Sequence, residues 1–176
     1  MKARPEAVRQ VLRGSFAALV TVGVLAVSGC ATADTAAIVD GHRITEQDAQ
    51  EASRQILAAQ PDSGITTSGA VASLVMAGFI NTVANQAGKG LSDSAARTAV
   101  QVIEDPAPAT LELVKASLAF NQLTSEEQGR AVALASKADI SINPRYGTFD
   151  PKKISFDPST PNWIKAEPQP VATPQG

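Results

Sequence analysis

Residues 67–86 read TSGAVASLVMAGFINTVANQ, and their reading decides the fold. Val71, Leu74, Val75, Met76, Phe79, Ile80 and Val83 leave hardly any polar face. Twenty helical residues reach about 30 Å, long enough to cross a bilayer. Ser68, Ser73, Asn81, Asn85 and Gln86 argue against that use. The stretch is therefore expected to be a central helix, buried on several sides by other elements. Ala87-Gly88-Lys89-Gly90 breaks it.

Amphipathic helices are expected on either side. Upstream, Thr45 with Glu46, Gln47 and Asp48 reads as an N-cap with acids in the first turn, opening a helix over 46–59. Gln60-Pro61-Asp62-Ser63-Gly64 ends that helix. Downstream, Ser92 caps a helix over 93–103, with Ala96, Val100 and Ile103 on one stripe. Asp105-Pro106-Ala107-Pro108 stops it, and the next helix is expected over 109–123, with Leu111, Val114, Leu118 and Phe120 inward. Thr124 and Glu127 form a capping box for a fifth helix, reaching Lys137. The pattern changes period only at the ends. Ala36 to Thr45 places Asp40-Gly41 between two short extended pieces, as in a tight hairpin. Ala138 to Asn143 alternates like a strand, Pro144 halts it, and 145–150 read as a turn and another extended piece. The fold class is mainly α, about five helices with short strands at the two ends.

At 176 residues the chain has room for one ordinary domain. It is 44% hydrophobic but only 4% aromatic, which favours close-packed helices. A net charge of −2 leaves no footprint of nucleic-acid binding. The charge is uneven. Residues 1–29 hold Lys2, Arg4, Arg9 and Arg13 against Glu6, while the remainder holds 11 basic and 16 acidic residues. Behind the basic start runs SFAALVTVGVLAVS, residues 15–28. This run covers about 21 Å as a helix, too short to span and typical of a signal-peptide core.

Val27-Ser28-Gly29-Cys30 follows, and resembles the lipobox of bacterial lipoproteins: an aliphatic residue, two small ones, then cysteine. Cleavage is expected between Gly29 and Cys30, with a lipid on the Cys30 thiol. Cys30 is the one cysteine of the chain, so it has no disulfide partner within it. Acylation by more than one chain anchors a protein stably. Residues 30–35 then form a short tether, 36–150 the folded domain, and 151–176 an extension holding six of the 11 prolines, its end disordered. Tyr146, Phe149, Phe156 and Trp163 are expected to strap the start of that extension onto the helices.

Catalytic constellations are hard to find. His42 is the single histidine and sits in the hairpin without companions for a metal site. Gly88-Lys89-Gly90-Leu91-Ser92 lacks the upstream glycine and the Ser or Thr directly after lysine that a phosphate loop needs. Glu126, Glu127 and Asp139 are explained by a cap and a strand end. Arg145 is expected to pair with an acid and Tyr146 to pack. No catalytic residue, metal or cofactor is assigned.

The ends of the domain carry a family resemblance. Ile38-Val39-Asp40-Gly41-His42-Arg43-Ile44-Thr45-Glu46-Gln47-Asp48 resembles the opening of SurA-type and PrsA-type extracytoplasmic chaperones. Ile140 to Asp150, ISINPRYGTFD, resembles the strand-and-turn ending of SurA-N-like lipoproteins. The resemblance implies a helical chaperone domain whose first and last strands pair. It implies a membrane-anchored holdase that binds unfolded secreted polypeptides, with 71–83 as a candidate groove wall. The chain has no room for the parvulin domain of the full-length foldases, so isomerase activity does not carry over. The alternative is a structural or adaptor lipoprotein of the envelope with one defined protein partner. The oligomeric state stays open, a dimer included.

Overall fold

A computed structural model describes residues 34–150, 153 and 155–158. Residues 1–33, with the expected signal segment, Gly29 and Cys30, and those from 159 onward, with Trp163, lie outside them.

Strands β1 (Thr35–Val39) and β2 (His42–Thr45) form the expected hairpin. Its turn places Asp40 at φ 48° and Gly41 at φ 81°, so both central residues are left-handed, as a two-residue turn matched to strand twist requires. Thr45 then caps α1 (Glu46–Ala59) with a complete capping box: its hydroxyl accepts from Asp48 N at 3.0 Å, and Thr45 N donates to Asp48 Oδ2 at 3.0 Å. A single 3-10 turn at Pro61–Ser63 leads to α2 (Thr67–Gln86), capped by Thr66. After α3 (Asp93–Ala99), α4 (Pro108–Phe120) and α5 (Ser125–Ala135), the chain returns as β3 (Ile140–Ile142).

β3 pairs antiparallel with β1 on the edge opposite β2, giving the order β2-β1-β3. The two ends of the helical body thus meet in one sheet. Asp40 and Asp139 reinforce the join, exchanging Asp40 N to Asp139 O at 2.8 Å and Asp139 N to Asp40 Oδ1 at 2.9 Å. Asn143 closes its other end, donating from Nδ2 to Thr35 O at 3.0 Å. Thr35, which the sequence placed in the tether, is already part of the strand and buried. A second sheet pairs β4 (Gly147–Asp150) with β5 (Ser155–Pro158), so part of the Pro-rich extension is built onto the body.

α2 lies in the middle, against α1, α4 and α5. It is long and apolar enough to cross a membrane, with mean hydropathy 1.4. Its neighbours divide its surface into stripes. Val71, Val75, Phe79 and Val83 enter the main core with Ala36, Ala37, Leu123, Ala131, Ala135 and Tyr146. Ala77 turns instead to a second cluster with Ala52, Ala109, Leu113 and Ala116, where small side chains let α1, α2 and α4 approach.

Four expectations are corrected. The third helix ends at Ala99, four residues early, and residues 100–105 form turns and bends. The fourth begins at Pro108 and ends at Phe120, before Leu123, and the fifth stops at Ala135. On α4 only Leu111 of the four residues expected inward is fully buried; Val114 and Leu118 are half-buried and Phe120 is 41% exposed. The reason is that α4 packs through Ala109, Thr110, Leu113, Ala116 and Ala119, rotating the larger side chains away from the core.

Candidate functional site

The rotated face of α4 is one wall of an open groove of about 650 Å³. Val114, Ser117, Leu118 and Phe120 form that wall, beside Leu113 and Ala116 of the packing face, and Ala72, Ser73, Met76 and Ile80 of α2 form the floor. Ile56, Ala59 and Gln60 close it from the end of α1, with Ile65 beside them. Ala99, Val100 and Ile103 complete it from the α3–α4 connection. No charged side chain lines it; Gln60, Ser73, Ser117 and Asn121 are its polar groups. An aliphatic channel with uncharged hydrogen-bonding groups suits an apolar segment of polypeptide, and offers nothing to hold an anion or a cation. Met76, unbranched and polarisable, adapts to varied shapes.

The sequence located the helix but not which of its faces lines the groove. Within 71–83, the valines and Phe79 belong to the core, and Ala72, Ser73, Met76 and Ile80 face the groove. The wall from 99–103 was missed because those residues were expected to continue a helix.

Its position is set by Gln55, a buried α1 residue that the sequence did not single out. Gln55 Oε1 accepts from Ala107 N at 2.9 Å and from Thr110 Oγ1 at 2.6 Å. Its Nε2 donates to Asp105 O at 3.0 Å and Glu51 Oε1 at 2.8 Å. One side chain therefore ties the α3–α4 connection and the start of α4 to α1. Pro106 and Pro108 disfavour helix at the residues before them, which leaves those backbone groups free for capture.

The other residues weighed from sequence are held in structural roles. His42 is exposed at the start of β2, opposite Val39. Ser92 caps α3 through a bond from Ala95 N at 3.2 Å. Lys89 pairs with Glu127, whose Oε2 also accepts from Thr124 N at 2.7 Å. Glu126 is exposed. Arg145 pairs with Glu46 at 3.3 Å. Tyr146 is buried in the core, and Oη has no hydrogen-bond partner of ordinary geometry. Burial, with the Glu46 carboxylate adding to it, pushes its phenol up to about 12. Among the described residues no three His, Cys, Asp or Glu side chains come together as a metal site would need.

The Lys89–Glu127 pair gives the fold an acid-sensitive joint. Lys89, then the Thr124 backbone, holds the Glu127 carboxyl down at about 2, from an ordinary 4.5. A depressed carboxylate stabilises the fold above its unfolded pKa, and that stabilisation is lost as pH falls through the folded value. The loss is expected between pH 4.5 and about 2. Glu127→Gln should flatten this part of the curve when melting temperature is followed against pH, with the wild-type slope retained elsewhere.

No protein-family model matches the chain, and comparisons with curated proteins and with solved structures give no match.

Proposed function

We propose that the protein is a membrane-tethered extracytoplasmic holdase, not an enzyme, whose groove takes apolar segments of unfolded secreted polypeptides. The observation that carries the reading is the open, uncharged groove between α2 and α4. Apolar lining holds side chains with little regard to sequence, while the polar groups can satisfy a bound backbone. The resemblance of the end motifs to SurA-N-like chaperones supports the same reading, as does the lipobox at 27–30. The tether on Cys30 keeps the groove near the membrane surface.

The full chain, reconstituted into lipid vesicles, is expected to slow aggregation of unfolded clients at near-stoichiometric ratios. Met76→Lys should weaken this about tenfold by placing a charge in the groove, a change of about 1.4 kcal/mol. The fold should persist, because Met76 is only half-buried and a lysine can carry its ammonium out to water. No protection of several unrelated clients would remove the holdase reading. A photo-crosslinker at Ser73 in cells separates the alternative: many captured chains favour a holdase, one dominant product an adaptor. Mass spectrometry of the membrane-derived protein should show residues 1–29 gone and acyl chains on Cys30. Cys30→Ser should leave the chain uncut.

A further inference from the structure

We propose that the groove has a resident occupant: the C-terminal segment 159–176 of the same chain, docked through Trp163 and Ile164. As a competitor for clients it rests on the holdase reading; the docking itself rests on the groove and the tail.

The groove leaves a volume of about 650 Å³, lined mostly by aliphatic side chains, open on a small domain. Eighteen residues follow Pro158, the end of β5, and β5 itself runs beside α2, the helix that floors the groove. Trp163 and Ile164 stand five and six residues past Pro158, a reach of roughly 17–20 Å at about 3.3 Å per residue, more than the roughly 10–12 Å width of a helix such as α2. Trp163-Ile164 is the one adjacent pair of large apolar side chains after Pro158. The segment's only charged side chains are Lys165 and Glu167, which cancel each other beside a groove with no charged lining. Tryptophan buries a large area for two rotatable bonds, and the prolines at 161, 168, 170 and 174 lower the entropy lost on docking. Tethering supplies an effective concentration in the millimolar range, so a weak site suffices to hold the tail and yields to a client with a better segment.

Trp163 is the single tryptophan of the chain and reports its own surroundings. In the full chain reconstituted into vesicles, its emission is expected blue of free tryptophan and shielded from acrylamide. A nitroxide on Ser73→Cys, in the groove, should quench it. A nitroxide on Gly129→Cys should not, since that position is exposed on α5 and has open space for a side chain. Stopping the chain after Pro158 keeps every described residue and should raise apparent client affinity about tenfold if the tail fills the groove nine-tenths of the time.

Emission like that of free tryptophan, with neither nitroxide quenching, overturns the proposal. So does quenching by brominated acyl chains, which places Trp163 in the membrane, or Ser73-nitroxide quenching that falls on dilution, which assigns the tail to a second copy. If the Ser73 nitroxide quenches independently of dilution but neither full nor shortened chain protects a client, docking stands and the holdase reading falls. If clients are protected, Trp163 is solvated and shortening changes nothing, the holdase reading stands and docking falls.

Discussion

Gln55→Ala is expected to destabilise the domain by about 3 kcal/mol, because it strips partners from several polar groups at once. The Ala107 N–H and the fully buried Thr110 hydroxyl both lose Oε1, and the Asp105 carbonyl loses Nε2. Gln55→Met keeps the volume and should recover little of the loss, since the cost lies in unsatisfied donors and acceptors and not in a cavity. Urea unfolding followed by circular dichroism measures the difference. Faster amide exchange over 99–107 would show that the groove wall loosens first, and client protection should fall with it. Exchange unchanged there would mean the connection is held by something other than Gln55.

Gly147→Ala should act on the second sheet with comparable force. Gly147 has φ 146°, and a Cβ there would stand 2.3 Å from Asp157 O, 2.8 Å from Phe156 Cζ and 3.0 Å from Pro158 Cα. The carbonyl oxygen belongs to the paired strand, so it cannot swing aside without breaking the ladder. The strain is expected to cost about 2 kcal/mol and to be relieved by β5 leaving β4. Amides of 155–158 should then exchange nearly freely, while β1–β3 and α2 keep their protection. Loss of protection throughout would instead show that the β4–β5 hairpin is integral to the main core.

Much of this fold is legible residue by residue. α1 and α2 occupy the ranges expected of them because their stops are local: a capping box at Thr45, Pro61 and Gly64, then Gly88. The hairpin turn was readable in Asp40-Gly41 for the same reason. What the sequence hides is decided across the chain. The α3–α4 connection is held by Gln55, some fifty residues earlier, which takes up the backbone of Asp105 and Ala107. The groove face of α2 could not be told from its core face, since both are apolar and only the packing of α4 and α5 separates Met76 from Val75. Phe120 looks like core by type, and small residues on the opposite side of α4 turn it outward. Glu127 joined to Thr124 was foreseeable; its bond to Lys89 was not.

The central place of β1 has a topological consequence. Val39 and Ile140 are neighbours although about a hundred residues separate them, so the main-chain path of the domain is nearly a closed ring. During synthesis β1 has only β2 for a partner, a two-stranded ribbon that is marginal alone, until the last of that ring emerges. Folding is therefore completed by one long closure, which makes it slow relative to the local formation of the helices. The same geometry makes the starting point of the chain largely arbitrary. A permuted protein opened beside the 78% exposed Val102, with a short linker from Pro158 back to Asp34, would keep every strand pairing and every helix.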